Sequence, residues 1–461
     1  MRNQLIFFAF ISAYSAVSFV LFNLIYRTSK VVIDEEFHLR QGEHYCHGRF
    51  DVWDNKITTF PGLYLVSASF LGPFQSCSIY HLRMISLIAS IANVYLIYII
   101  RKVVLANRNP AYLLLESMSL ATLPPLYFFS HLYYTDVLSV TMVLTMVYFS
   151  LKGMHNWGGI AAFMAILMRQ TNVVWVGMVL GNQVIKTAID LCQPGGKGSS
   201  RKGRHYGFAD LWQSIKTMLK KPKIMIDLLR HVLPNYFGYI INIVGFVIFL
   251  FTNGSIVIGD KTAHVAKLHV PQIFYFSLFF AAFSSSHVLS TLKRIARIMR
   301  KKWPMTALCV CLFAAAIHLN TIVHPYMLAD NRHYTFYIWN RFFGRWWFAR
   351  YLPIPIYYGV LVLVVLMLLP SSNNHEQTVG FSLLWVAATL ASVALQQLIE
   401  VRYFILPFLL LRLIQTNVRT SANLLTLEVL GNLAINALTV YAFVKKEFYW
   451  KNYQDAQRII W

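Results

Sequence analysis

The sequence predicts an all-α polytopic membrane protein. Its 461 residues are 57% hydrophobic and only 13% charged, against roughly a quarter charged in an ordinary soluble domain. The apolar residues gather into long runs, and about 20 of them in succession are what a helix needs to cross a bilayer, which cannot satisfy exposed backbone groups. The formal charge of +23 falls in blocks between those runs.

Thirteen apolar runs are expected as spanning or part-spanning helices: 4–25, 82–100, 111–129, 136–151, 155–168, 172–185, 232–252, 270–291, 305–323, 351–370, 378–398, 403–416 and 424–444. This implies about 12–14 transmembrane helices in a single domain covering 1–461. The first run is too long for a signal-peptide core and has no small-residue cleavage site, so it is read as a retained signal anchor. Several later runs are short and are read as half-helices or re-entrant segments.

The loops orient the helices. Residues 186–230 carry ten Lys/Arg against three acids, and residues 293–302 carry six with no acid. Lys/Arg excess marks cytoplasmic loops. With Met1 also cytoplasmic, the opposite face receives 26–81, Tyr133–Asp136, Met168–Asn172, 253–269, 324–350 and 399–402. The basic blocks lack interleaved aromatics, which excludes nucleic acid as a partner. The stretch Cys192–Ser200 is a flexible linker by composition, and its Gly-Lys-Gly-Ser-Ser lacks the strand and glycine spacing of a phosphate-binding loop. Of five cysteines, Cys46 and Cys77 share the non-cytoplasmic face, where a disulfide is possible. His264 and His269 are five apart and lack zinc-ligand spacing, so no metal is expected. Asn253-Gly254-Ser255 is a luminal glycosylation sequon.

The non-cytoplasmic face collects the chemistry. Asp34-Glu35-Glu36-Phe37-His38 places three acids just past the first span. On a helix, Asp34 and His38 would share a face with Glu35 beside them, and a carboxylate near lipid has the raised pKa suited to a base. The plainer alternative is a helix-capping cluster. Arg169, in Met168-Arg169-Gln170-Thr171-Asn172, is an ionisable group at a hairpin tip, and its guanidinium matches two phosphate oxygens. Leu328–Tyr337 combines Asp330, Asn331, Arg332, His333 and Tyr334, donors and rings of the kind that recognise a sugar. Glu400-Val401-Arg402-Tyr403 closes a further span.

In matching order, Asp34-Glu35 with Phe37-His38, Trp53-Asp54, Ile57–Tyr64, Arg169–Asn172, Leu328–Tyr337, Glu400–Pro407 and Gln457–Trp461 resemble the eukaryotic dolichyl-phosphoglucose-dependent α-1,2-glucosyltransferases of the endoplasmic reticulum. The resemblance implies a GT-C type glycosyltransferase fold, a multi-pass enzyme whose active site faces the lumen, and inverting transfer of glucose from dolichyl-phosphoglucose to a diglucosylated dolichyl-diphosphate oligosaccharide. It implies no cofactor beyond the donor substrate, and partners that are the two polyprenyl substrates and membrane lipid. Glu36 stands where that family carries an apolar residue.

Single displacement needs one base for the acceptor hydroxyl, and cations suffice for a phosphate leaving group. Asp34 or Glu35 is therefore expected as the catalytic base, with Arg169, Arg332, His333 and Arg402 on the donor phosphate. His38, Gln170, Asn172, Asp330, Asn331, Tyr334 and Glu400 are expected to bind substrate. Residue types do not separate a glucosyl from a mannosyl donor, so a dolichyl-phosphomannose transferase is the nearest alternative. A transporter or channel-regulating subunit would spread its charges along the spans rather than at one face.

Overall fold

The computed structural model describes residues 2–105, 108–193, 206–261, 266–371, 375–450 and 456–461. His264 and most of the linker read at Cys192–Ser200 lie outside them. Within them the chain is helical apart from a two-residue antiparallel pair, β1 (Glu447–Phe448) with β2 (Gln457–Arg458).

The first span, α1 (Arg2–Thr28), leads into two short helices, α2 (Glu35–Cys46) and α3 (Gly62–Leu71), and then the long α4 (Ile79–Val104). The run expected at 111–129 is divided into α5 (Pro110–Ala121) and α6 (Pro124–Phe129). Pro124 and Pro125 have no amide hydrogen to continue α5, and a proline in a first turn starts a new helix without cost. Next come α7 (Thr135–Leu151), α8 (His155–Met168) and α9 (Val173–Cys192), with α7 packed against both α4 and α8.

The middle of the chain holds α10 (Phe208–Lys220), α11 (Pro222–Asn235), α12 (Phe237–Asn253), α13 (Pro271–Phe283), α14 (Ser285–Lys301) and α15 (Trp303–Asn320). The short α16 (Pro325–Ala329) and α17 (Tyr334–Ile338) precede α18 (Ile354–Leu368), α19 (Val379–Val393), α20 (Ile405–Ile414) and α21 (Ala422–Lys445).

Every expected span falls on one of these helices or on a broken pair, with sharp changes of course inside two of them, 232–252 and 270–291. The run expected at 270–291 does not continue straight, because the chain bends by 105° between α13 and α14. Beyond Ser284 the apolar residues occupy one face only. Ile295 is buried, while Leu289 and Leu292 are exposed beside Lys293, Arg294 and Arg297. A helix so divided is stable along a membrane surface and not through it. A second bend, 86°, separates α11 from α12. Among the described residues α1, α4, α15 and α21 are long and apolar enough to cross a membrane alone, and α7, α18 and α19 are shorter apolar helices.

Two saturated ion pairs hold the bundle at the end of α4 remote from α2. Arg101 donates to Glu116 at 2.5 and 2.8 Å and to the carbonyls of Leu413 and Gln415. Arg412 donates to Glu428 at 3.0 Å, and Glu428 also accepts from the hydroxyls of Ser119 and Ser286 and from the Ser286 amide. These contacts join α4, α5, α14, α20 and α21 at one level.

Cys46 and Cys77 are disulfide-bonded, with Cα atoms 5.8 Å apart, and tie the end of α2 to the approach to α4. Cys192, Cys309 and Cys311 are free. Closing a loop of 31 residues is worth about 3–4 kcal/mol on the chain-entropy account. In sealed microsomes a membrane-impermeant reductant should leave this bond intact and reduce it only after permeabilisation, as read by thiol-labelling gel shift. Reduction in sealed vesicles would reverse the luminal placement of 26–81.

Candidate active site

Five residues that share one neighbourhood are supplied by helix ends and breaks. Asp34 caps α2, Asp136 is in the first turn of α7, and Arg169 is an extended residue between α8 and a 3₁₀ turn at Gln170–Asn172. Glu400 and Arg402 flank the start of a second 3₁₀ turn, Val401–Phe404, between α19 and α20. Helix ends leave backbone groups unpaired, so polar side chains and water concentrate there.

Asp136 is the hinge of this cluster. Its Oδ1 accepts from Arg169 Nη1 at 2.5 Å, and its Oδ2 lies 3.5 Å from Arg402 Nη1. Arg402 Nη2 donates to Glu400 Oε2 at 2.6 Å. The Arg402 guanidinium also stacks within 5.3 Å of the Phe129 ring and 5.4 Å of the Tyr134 ring, and Arg169 lies 5.8 Å from the Tyr403 ring. Two cations are therefore held close together by one buried carboxylate, with 19% of the Arg169 and 12% of the Arg402 side chain still open.

That opening is a cavity of about 240 Å³, lined by Arg169, Arg402, Thr58, Thr59 and His324 and by the apolar Trp175, Leu395, Leu398 and Leu406. A second cavity of about 340 Å³ is lined by Asp34, Asp330, Arg332, His333, Glu400, Trp450 and Trp461. Tyr326 and Leu398 line both. The Arg402–Glu400 pair spans the division, because Arg402 faces the first cavity and Glu400 the second.

The two candidate acids have different fates. Glu35 is wholly buried and accepts from Arg83 through both oxygens, at 2.8 and 2.6 Å, and from the Tyr133 amide at 2.6 Å. It lines neither cavity and, through Arg83, braces the turn before α2. Asp34 is exposed to the second cavity and makes no side-chain hydrogen bond to a described residue. The protein shell around it desolvates the carboxyl and raises its pKa. Arg402 opposes that shift, Glu400 adds to it, and His333 and Arg332 pull it down. Glu36, on the neighbouring turn, is paired with Arg40.

The remaining expected residues divide similarly. His38 Nδ1 and the Tyr64 hydroxyl are 2.6 Å apart. Burial and then Arg402 lower the His38 pKa to about 4, so the ring is neutral. Gln170 lines the first cavity and donates to the Thr58 carbonyl at 2.6 Å. Asn172 also lines the first cavity, and its amide nitrogen donates to Ser139 Oγ and the Ala165 carbonyl, both at 2.7 Å.

Arg332 lines the second cavity. It forks onto Asp330 at 2.9 and 2.8 Å, donates to Gln457 Oε1 at 2.9 Å and stacks 4.1 Å from the Trp450 ring. That cavity is not the one Arg169 lines. Against the upward push of burial, Arg332 holds Asp330 below the usual carboxylate range. His333 Nδ1 lies 3.3 Å from the Trp461 carbonyl. Asn331 Oδ1 accepts from Trp450 Nε1 at 3.2 Å, and the Tyr334 ring lies 5.1 Å from that of Trp461. Neither lines either of these two cavities. The Gln457–Trp461 segment is itself a wall, pinned by Ile460 N donating to the Arg332 carbonyl and Tyr334 N to the Ile460 carbonyl.

Sequence reasoning missed Asp136, Arg83, Tyr134 and Tyr64 as partners. For Asp136 a signal existed, an acid at the mouth of an apolar run on the same predicted face as Arg169. Arg83, the fifth residue of α4, is an ionisable group inside the expected run 82–100 and was passed over. Among the described residues no three His, Cys, Asp or Glu side chains converge as metal ligands.

The chain matches the model of the DIE2/ALG10 family over residues 28–413. It is 42% identical over 451 residues to a Drosophila melanogaster protein named "Dol-P-Glc:Glc(2)Man(9)GlcNAc(2)-PP-Dol alpha-1,2-glucosyltransferase", covering 96% of this chain and 98% of that one. Proteins of the same name from Mus musculus and Arabidopsis thaliana are 33% and 28% identical, covering 99% and 93% of this chain and 98% and 94% of their own lengths. No solved structure matches it.

Removing one partner of a buried ion pair strands the other charge and costs about 3–5 kcal/mol. Glu35→Gln should therefore lower the unfolding temperature and the folded yield on detergent size-exclusion. A Glu35→Gln protein as stable as wild type would show that the Arg83 clamp carries no structural weight.

Proposed function

The chain belongs to the DIE2/ALG10 family, and on that premise we propose that it transfers glucose from dolichyl-phosphoglucose to a diglucosylated dolichyl-diphosphate oligosaccharide. The product carries a terminal α-1,2-linked glucose, and the site faces the lumen of the endoplasmic reticulum. The observation that carries the mechanism is an Asp34 open to one cavity, without a hydrogen-bond partner among the described residues, together with two cations, Arg169 and Arg402, on the adjoining cavity.

In this reading the donor phosphate lies in the first cavity against Arg169 and Arg402. Guanidinium groups suit a phosphate because their forked donors match two oxygens at once. The apolar lining below them suits the lipid end of the donor. The glucosyl group then extends past Tyr326 and Leu398 toward the second cavity, where the acceptor sugar lies among Asp330, His333, Trp450 and Trp461. Asp34 takes the proton of the acceptor 2-hydroxyl as its oxygen bonds to glucose C1 from the face opposite the phosphate. The C1–phosphate bond breaks, the electron pair leaves on dolichyl phosphate, and the two arginines stabilise that charge. Asp34 returns its proton to solvent. A raised pKa makes Asp34 a stronger base than an ordinary carboxylate while leaving it able to release the proton.

Asp34→Asn should abolish transfer from labelled dolichyl-phosphoglucose without loss of folded protein. Because the folded-state pKa of Asp34 is raised, its contribution to stability is full only below the ordinary carboxylate range and is lost as pH rises through the raised value. Asp34→Asn is accordingly expected to unfold at a higher temperature than wild type near neutral pH, with the gain vanishing in acid. Turnover near wild type would remove Asp34 from the chemistry. Wild-type activity should fall as pH drops through the raised Asp34 pKa. His38, neutral above about 4, should add no inflection near neutrality.

Arg169→Lys and Arg402→Lys keep charge but lose the fork. Each should cost about tenfold to a hundredfold in donor use, the scale of one charge-assisted contact. Initial rates against donor concentration decide this, and wild-type kinetics in both variants would leave these arginines as structural anchors.

A further inference from the structure

The backbone that carries Asp34 is strained. Only two non-glycine residues among those described have positive φ, Ile33 at 49° and Gln75 at 52°. Gln75 is an exposed polar residue closing a 3₁₀ turn. Ile33 is buried and β-branched, the kind of side chain least compatible with that conformation. It occupies the first central position of a tight turn in which Glu35 N donates to the Val32 carbonyl at 2.9 Å. Turns with positive φ at that position ordinarily place glycine there. Asp34 follows with φ −66° and ψ −13° and opens onto the cavity.

Two side chains from elsewhere in the chain close on this turn. The Tyr134 hydroxyl donates to the Val32 carbonyl and accepts from the Glu35 amide, both at 3.1 Å, and so bridges the two ends of the turn. Arg83 donates to the Ser29 carbonyl at 3.0 Å, to the Lys30 carbonyl at 3.1 Å and to the Glu35 carboxylate. Four hydrogen bonds from the Arg83 guanidinium are thus directed at the Ser29–Glu35 segment that carries Asp34. A strained conformer persists only where its surroundings over-determine it, and such sites concentrate where function needs a group held in place.

We propose that Ser29–Glu35 is a strained elbow whose clamps, Arg83 and the Tyr134 hydroxyl, are positioning residues that hold Asp34 at the acceptor cavity. The proposal rests on the reading of Asp34 as the base. Without the clamp, Ile33 returns to negative φ and swings the Asp34 carboxyl away from its place beside Arg402, Glu400, His333 and Arg332. A displacement on the order of 1 Å at a reacting group costs about a hundredfold in rate. A glycine at position 33 adopts positive φ without strain, so it removes the need for the clamp.

The test uses the full-length enzyme in detergent or nanodiscs, with labelled dolichyl-phosphoglucose and lipid-linked acceptor. Tyr134→Phe keeps the ring beside Arg402 and loses only the hydroxyl. It should lower kcat about tenfold to a hundredfold, leave the donor KM within about threefold, and move the acid limb of the pH–rate profile to lower pH as Asp34 leaves its walled seat. Adding Ile33→Gly to Tyr134→Phe should recover most of the lost kcat and return the acid limb.

A hydroxyl that only stabilises the fold would move neither the pH profile nor respond to the glycine. An unchanged kcat and profile in Tyr134→Phe, or no recovery in the double variant, overturns the proposal. Should Tyr134→Phe not accumulate as folded protein, Arg83→Lys, alone and with Ile33→Gly, carries the same comparison. Asp34→Asn run alongside separates the two ideas. If it retains transfer, the base assignment falls. If it is inactive while the clamp variants behave as wild type, only the elbow falls.

Discussion

A charge removed from water must be paired, and in a bundle this apolar that constraint organises everything else. Bringing an isolated guanidinium or carboxylate into a dry interior costs several kcal/mol even after relaxation, and only a well-hydrogen-bonded partner offsets it. The chain meets the requirement with Arg83–Glu35, Arg101–Glu116 and Arg412–Glu428, each nearly or wholly inaccessible. Their remaining donors and acceptors are spent on backbone carbonyls and amides, serine hydroxyls and turns. These saturated pairs are braces. They sit at opposite ends of α4 and fix the helices that meet there.

The cluster around Asp136 is built from the same residue types and is not saturated. One carboxylate is shared by two arginines, one contact is as long as 3.5 Å, and both guanidinium groups keep an open edge on a cavity. Asp34, a residue away from a saturated brace, is left with no hydrogen-bond partner among the described residues. The difference between brace and site is thus unspent hydrogen-bonding capacity facing a cavity. It separates Glu35 from Asp34 where residue type does not. The strained φ of Ile33 follows the same logic, since conformational energy of about 1–2 kcal/mol for a left-handed residue is offset by a clamp that places an otherwise unsupported carboxylate.

Much of the fold was legible because lipid imposes a one-dimensional rule. Each of the thirteen expected apolar runs lies on a helix or a bent pair, from 4–25 in α1 to 424–444 in α21. The bend at Ser284 was not legible by hydropathy, because the apolar face of α14 keeps the local average high while its other face is basic. Nor were α2, α3, α16 and α17, which are short and owe their form to packing rather than periodicity. Of the proposed site, Asp34, His38, Arg169, Asp330, Glu400 and Arg402 were among the residues expected from their motif clusters on the non-cytoplasmic face. Asp136 was passed over because, in sequence, it reads as an acid capping the first turn of α7.

By itself the sequence determined the membrane class, the helical elements and, through the order of its motif blocks, the family. These depend on composition and local order along the chain. Only the tertiary structure decided which charges pair. Arg83 is 48 residues from Glu35, Asp136 is 33 from Arg169, and Gln457 is 125 from Arg332. Pairing at such separations is set by how helices pack, and it alone determines whether an acid is locked against an arginine or left open to a substrate. Asp34 and Glu35 are adjacent acids in the sequence, but α2 begins between them, and its first turn directs one carboxylate into the bundle and the other into the cavity.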